Sequence, residues 1–278
     1  MDISIAFNNQ AFYQKLKGIG YKGIDFPMVI YDNMTEIILS DAYTEEIMEE
    51  YRLIKQAGLQ VSQTHMTFWP GHFEPFSNPE AYAKHFAPLY SKQIELTGMM
   101  NCRTTVVHLY LDEDEENSRK GNIALIQELL PILEKNNVVL SIENLYGPGF
   151  TDGHLTSADD LLFYMDYFKS PYLGICLDVG HAIALDQDPV EMLRKVLNHL
   201  TALHIHTSHP KQDLHAIPKF LGYAEKINWD EFYEVLSSGH YQGTFNLELI
   251  QPSNLSDEAI LSYLQLAYHV ANGIVNKK

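Results

Sequence analysis

Short, β-branched and mostly apolar runs alternate along the whole chain with longer stretches in which apolar residues recur every three or four positions. The runs ISIAF (3–7), GIDFPM (23–28), QVSQTHM (60–66), RTTVVHLY (103–110), VVLSIENL (138–145), YLGICLDV (172–179), TALHIHT (201–207) and TFNLELI (244–250) predict strands. Between them, Tyr43–Ala57, Pro79–Thr97, Asn117–Asn136, Ser157–Phe168, Pro189–Leu200 and Trp229–Ser238 predict amphipathic helices. Local signals agree: Asp188 stands as an N-cap before Pro189, Gly58 follows the first of these helices as a stop, and SDEAILSYLQLAYHVANGIV opens on a Ser-Asp-Glu cap.

Strand alternating with helix implies parallel strands joined by crossover helices. Eight strands, each followed by a helical segment, is the count of a (β/α)8 TIM barrel. A doubly wound open sheet is the competing architecture, but no glycine-rich dinucleotide fingerprint follows the first strand. No linker or low-complexity stretch divides the chain, so residues 1–278 are expected to form a single domain. The first βα unit carries the faintest pattern.

Composition narrows the function classes. With 278 residues, 46% of them hydrophobic, the chain can bury a large core. Its 36 acidic residues against 19 Lys and Arg leave a formal charge of −17, which disfavours nucleic acid and anionic membrane as partners. No apolar run reaches the roughly 18 residues of a membrane span. Two cysteines, Cys102 and Cys176, form no CxxC pair, and the start MDISIAFNNQ lacks a signal-peptide pattern. A cytoplasmic location is the expectation.

In a barrel the reactive groups come from the C-terminal ends of the strands. Six successive predicted strands end on or near a group of metal-ligating or acid–base type: His65, His108, Glu143, Asp178, His204 or His206, and Glu248. A buried carboxylate or imidazole is costly unless paired or bound to a cation, and six on successive strands must converge on one rim. Asp178 and His181 flank a turn containing Gly180, so both can face one cavity. His204 and His206, two apart, share one face of a strand. Asp213 and His215 lie two apart in the loop beyond, in the string HIHTSHPKQDLH, whose middle part SHPKQ is expected to be a solvent-facing turn. Carboxylates mixed with imidazoles suit Zn²⁺, Mn²⁺ or Co²⁺, and the absence of cysteine ligands argues against iron–sulfur chemistry.

The ordered series QTH, VVH, IEN, LDVGHA, LHIH, DLH and LEL resembles the xylose isomerase-like TIM-barrel superfamily over residues from about 60 to 250. That superfamily holds sugar isomerases and epimerases, inosose-type dehydratases and isomerases, and abasic-site endonucleases. The resemblance implies a central divalent metal held by Glu143, Asp178, a histidine of strand seven and Glu248. Matching ALHIHTS to the family pattern favours His204; a two-residue shift gives His206. In multi-metal members, residues matching His65 and His108 join Glu143 at a second ion, and those matching His181, Asp213 and His215 hold a third. One to three ions, Zn²⁺ or Mn²⁺ foremost, are therefore expected. Where many relatives carry Gly-x-Gly before an Ile-Asn-Trp turn, this chain has Gly222-Tyr223-Ala224.

Two activities follow. The first is a metal-dependent isomerase or epimerase of a sugar, keto sugar or sugar phosphate. A divalent ion polarises the carbonyl while a carboxylate moves the neighbouring proton. The resemblance to epimerases makes Glu143 and Glu248 both ligands and acid–base groups. His181 is a candidate anchor for a hydroxyl, and Phe68, Trp69, Phe73 and Tyr110 are candidate apolar walls. The second is a metal-dependent phosphodiesterase acting on abasic DNA. The run DEDEE (112–116), next to the expected rim, opposes a phosphate backbone, and Arg119, Lys120, Lys211 and Lys219 are the main cations available. The expected partner is a small-molecule carbohydrate. A homo-oligomer is compatible with such barrels, though no residue pattern specifies one.

Overall fold

Parallel strands need long crossovers, because a tight turn reverses direction. The computed structural model, which describes residues 1–29, 34–67, 79–111, 114–146, 154–250 and 253–276, supplies them as helices. The chain runs β1 (Ile3–Ala6), α1 (Tyr13–Ile19), β2 (Gly23–Pro27), α2 (Met34–Ile38), α3 (Asp41–Gln56), β3 (Gln60–His65), α4 (Pro79–Met99), β4 (Thr104–Val107), α5 (Glu115–Asn136) and β5 (Val139–Glu143). It continues α6 (Ala158–Phe168), β6 (Leu173–Asp178), α7 (Val179–Ala184), α8 (Pro189–Val196), β7 (Leu200–His204), β8 (Thr207–His209), β9 (Gln212–Ala216), α9 (Trp229–Ser238), β10 (Phe245–Leu247) and α10 (Asp257–Val275).

Eight strands pair in the order β10-β1-β2-β3-β4-β5-β6-β7. The ring closes just past β7, where Ile205 bridges Leu247 in parallel. Two backbone bonds make that seam: Ile205 N–H to Asn246 O (2.8 Å) and Glu248 N–H to Ile205 O (3.2 Å). The fold is the (β/α)8 barrel expected from the sequence. Helix caps follow the local chemistry: Asp188 accepts from Val190 N–H with Pro189 in the first turn, Ser157 and Asp160 form a capping box, and Ser256 caps α10. Among the described residues, no helix is long and apolar enough to cross a membrane.

Several boundaries differ from the sequence expectation. The short helices α1 and α2 have no counterpart among the predicted elements, because five to seven residues are too few to show a helical period. The predicted turn after Asp178 is a helix, α7, with Asp178 as its N-cap. The predicted helix Pro189–Leu200 stops at Val196, and Leu200 already belongs to β7. The predicted turn and loop around SHPKQDLH form an antiparallel hairpin, β8–β9, in which Ser208 is fully buried. Its hydroxyl accepts from Leu214 N–H, which ties the hairpin to itself (3.0 Å).

The barrel interior is uneven. On one side Val106, Cys176 and Ala202 form a small apolar cluster. On the other, Ser4, Asp25, Gln63 and Asn246 are buried and hydrogen-bonded to one another. Strand register sets those contacts, since Ser4 stands beside Asn246 and Asp25 beside Gln63. The same logic puts Asp178 beside His204 at the barrel mouth.

Candidate active site

Glu143, Asp178 and His204 are the last residues of β5, β6 and β7, and Glu248 follows β10 directly. Ligand-type atoms of these four lie within 4.8 Å of one another. His204 Nδ1 is the hub, 3.1 Å from Glu143 Oε1, 3.2 Å from Glu248 Oε2 and 3.7 Å from Asp178 Oδ2. Glu143 turns its other oxygen, Oε2, to His108 Nε2 (3.0 Å) and His65 Nε2 (3.3 Å). His65, Glu143 and His204 form a second compact group.

The rim beyond is built by α7 and the hairpin. His181, Asp213 and His215 form a further group, with Asp213 Oδ2 at 3.4 Å from His181 Nε2 and 2.9 Å from His215 Nε2. His206 joins from below: its Nε2 is 3.1 Å from the Asp178 carboxylate, and its ring stacks on His215 at 4.0 Å. Both histidines of the HIH string thus reach Asp178, but only His204 stands among the four strand-end groups.

Local backbone bonds aim these rings. The Nδ1–H groups of His65, His181 and His215 donate to the carbonyls of Met66 (2.9 Å), Asn144 (2.8 Å) and Glu248 (3.1 Å). A carbonyl only accepts, so each ring carries a proton on Nδ1 and turns its Nε2 to the site. Asn144 also exchanges two 2.8 Å bonds with the Asp178 backbone, pinning β5 to β6 at the mouth. Gly180 makes the fit possible. A Cβ there would stand 1.8 Å from Cε1 of the fully buried His206 ring. Gly180→Ala is therefore expected to displace His206 and cost about 1–3 kcal/mol of stability. Chemical denaturation measures this, and a variant as stable as the parent would contradict the packing described.

Charge is concentrated here. Burial by itself pushes the Glu143 and Asp178 carboxyls up, yet His204 and His108 beside the one, and His181 and His206 beside the other, hold both well below the ordinary range. Burial likewise opposes a charged imidazole at His181 and His215. Asp178, Asp213 and Glu143 nevertheless raise the first to about 10, and Asp213 and Glu248 raise the second to about 9. His204 is held well above its usual value against burial, by Cys176, Glu143 and Glu248.

The donor set fits a divalent cation. Among the described residues, Glu248 Oε2 is a buried atom with no hydrogen-bond partner, as are Asp25 Oδ1 and His204 Nε2 deeper in the barrel. A buried carboxylate oxygen without a donor, facing two more carboxylates and an imidazole, is a place where a cation lowers the energy. Oxygen and nitrogen donors together are those of Zn²⁺ or Mn²⁺ sites.

The sequence reading passed over Asn144 as a clamp and Asp25 altogether. Asp25 is a charged residue in the otherwise apolar run GIDFPM, the same signal that marked Glu248. Of the candidate walls, Tyr110 is buried and stacked on Tyr82 at 4.4 Å, which makes it core packing. Phe68, Trp69 and Phe73 lie outside the described residues, as do Asp112 and Glu113 of the acidic run. Of the candidate cations, Arg119 and Lys120 are paired with Glu115 and Glu116, and Lys219 with Asp230.

Residues 13–265 match the family described as xylose isomerase-like TIM barrel. A curated relative, the uncharacterized protein y4fM of Sinorhizobium fredii, is 22% identical over 267 residues, covering 86% of this chain and 81% of its own. Among solved structures, a D-psicose 3-epimerase determined in the presence of D-fructose superposes with a TM-score of 0.74 at 12% identity, covering 99% of both chains. A 3-keto-D-glucoside 4-epimerase from E. coli gives 0.72 at 15% identity, covering 97% of this chain and 99% of that one.

Proposed function

The chain belongs to the xylose isomerase-like TIM-barrel family, and on that premise we propose that it is a divalent-metal-dependent isomerase or epimerase of a sugar, keto sugar or sugar phosphate. The observation that carries this reading is the group Glu143–Asp178–His204–Glu248, four ligand-type side chains from four strand ends gathered within 4.8 Å. We assign the central histidine as His204, whose Nδ1 faces all three carboxylates, and not His206. When bound, a divalent ion there supplies the positive charge that polarises a substrate carbonyl and acidifies the neighbouring carbon.

The two glutamates are not equivalent. Glu143 is almost fully buried, and its oxygens already face His204 and His181 on one side and His65 and His108 on the other. Glu248 is partly open, its side chain 24% exposed, with one oxygen lacking a donor. Glu248 is therefore placed to take a proton from a carbon beside the carbonyl and pass it to solvent from its open side, and Glu143 to relay one to the other side from the His181 imidazolium 3.5 Å away. His181, charged over a wide pH range, anchors a substrate hydroxyl or carbonyl oxygen. Two solved structures of this fold are epimerases of a ketose and of a keto-glucoside, which supports the substrate class.

One observation favours a second reading, a metal-dependent phosphodiesterase. The outer group His181–Asp213–His215 stands ready beside the inner one, as a multi-metal hydrolase would need. Three of the four candidate cations argue against it, since Arg119, Lys120 and Lys219 are already paired with carboxylates, which leaves Lys211 on the hairpin for a phosphate backbone.

Elemental analysis of the purified protein tests the proposal: at least one divalent ion per chain is expected, with activity lost on chelation. A metal-free protein whose activity ignores chelators would contradict it.

A pH signature follows as well. In the metal-free protein, the raised His181 and His215 stabilise the fold fully below their unfolded value of 6.5, and this is lost as pH rises through about 9 to 10. The depressed Glu143 and Asp178 stabilise above their ordinary values of 4.5 and 3.8, and this is lost as pH falls toward their folded values. Metal binding displaces the imidazole protons, so the rise in Tm on adding Mn²⁺ or Zn²⁺ is expected to be larger at pH 8 than at pH 6. Thermal melts with and without metal measure it. A metal shift that shrinks as pH rises would contradict the assignment.

A further inference from the structure

Among the rings of the site, His204 is turned the other way. His65, His181 and His215 present Nε2 to the carboxylates and donate Nδ1–H to backbone carbonyls. His204 instead presents Nδ1, and its Nε2 points down the barrel to Asp25 Oδ2 at 3.3 Å. Among the described residues no backbone carbonyl bonds this ring, so a side chain sets its orientation.

We propose that Asp25 is the positioning residue for His204: its carboxylate, at ion-pair distance from Nε2 though not aligned as a hydrogen bond, keeps the proton on Nε2 and so leaves Nδ1 to give up its own proton and face Glu143, Asp178 and Glu248 with a lone pair when a metal ion is bound. The inference rests on the metal-site reading above. It follows from counting donors. Asp25 Oδ2 accepts from Gln63 Nε2 (2.9 Å) and from Asn246 Nδ2 (2.8 Å). Both are amide groups that bring their own protons, so this oxygen is an acceptor, and the proton between it and His204 belongs to the imidazole.

The support extends below. Asn246 Oδ1 accepts from Ser4 Oγ (2.8 Å), which in turn contacts Thr244, so the amide cannot easily turn its carbonyl toward Asp25. Asp25, Gln63, Ser4 and Asn246 are all at most 2% exposed. Burying a carboxylate on this scale is expensive, and apolar residues of similar volume would serve packing as well or better. A carboxylate behind a ligand imidazole, by contrast, fixes its tautomer and orientation and raises its basicity, typically a 10- to 100-fold effect on metal affinity.

Asparagine is the conservative replacement. Among the described residues Asp25 Oδ1 has no hydrogen-bond partner, so an amide NH2 can stand there while the carbonyl oxygen takes the place of Oδ2. Leucine has similar bulk and no acceptor. The test is Co²⁺ binding to metal-free protein, followed by its visible absorption and calorimetry, for the parent, Asp25→Asn and Asp25→Leu, with circular dichroism and Tm recorded for each. Asp25→Leu is expected to weaken the Co²⁺ Kd roughly 10- to 100-fold, and Asp25→Asn to stay within about three-fold of the parent, because it keeps the acceptor. Equal binding by Asp25→Leu and the parent, or equal weakening by the two variants, would overturn the acceptor role. Should the leucine variant fail to fold, nitrogen-15 spectra of the Zn²⁺-loaded parent decide: His204 ligating through Nδ1 with a slowly exchanging Nε2–H is expected, and ligation through Nε2 overturns the proposal. A parent protein that binds no Co²⁺ would instead remove the metal reading itself, and this inference with it.

Discussion

Glu143→Gln is expected to leave no more than residual turnover, a loss of roughly 10²- to 10⁴-fold for the proton-transfer role alone, together with weaker metal binding. The side chain keeps its size, so packing is not the cause. In the metal-free protein, where His204 is raised well above its usual value, Glu143 accepts from it on one oxygen and from His108 on the other. A glutamine offers an NH2 to one of them and leaves two donors face to face in a site that is almost fully buried. The negative charge that raises His204, His65 and His181 disappears at the same time. A drop in the Tm of the metal-free protein should therefore accompany the loss of rate. Steady-state kinetics and thermal melts on protein of measured metal content check both. A glutamine variant with full activity and a full metal complement would remove Glu143 from the mechanism.

Glu248→Gln is expected to lose a similar factor in rate for a different reason, and with a smaller loss of stability in the metal-free fold. Its carboxylate is partly exposed, and one oxygen has no donor to lose. His215 is held by the Glu248 backbone carbonyl, which the substitution leaves in place. The two glutamine variants thus separate by stability: Glu143→Gln loses both a charge and buried hydrogen bonds and melts earlier without metal, whereas Glu248→Gln loses only its charge beside His204 and His215 and melts earlier by less. Equal destabilisation would mean that Glu248 is a structural partner of the network and not its open, reactive edge.

These contrasts also show how far the residues speak before the fold is seen. Glu143, Asp178 and Glu248 could be picked out because each is a lone acid in an apolar strand, and such a residue has few reasons to be there. Asp25 carries the same mark in GIDFPM, but it lies one layer below the mouth, and a search of strand ends passes it by. The choice between His204 and His206 is not open to periodicity, since residues two apart share a face. It depends on the register of β6 with β7, which sets His204 beside Asp178, and on the ring orientation that brings its Nδ1 to 3.2 Å from Glu248. The hairpin was hidden for a related reason: TSHPKQDLHA has no apolar alternation, because β9 lies half-exposed at the rim. Helix α7 was hidden by its brevity, and by a glycine that reads as a turn yet serves to admit the His206 ring.

The central claim is that this barrel moves a proton at a carbon next to a metal-polarised carbonyl. The most direct test is to incubate the metal-loaded protein in D₂O with a panel of ketoses, keto sugars and sugar phosphates, and to follow carbon-bound deuterium by NMR. Deuterium is expected beside the carbonyl of at least one sugar, abolished by chelation and by Glu143→Gln. Nicking of an abasic-site duplex, with no deuterium entering any sugar, would contradict the claim and make the enzyme a phosphodiesterase.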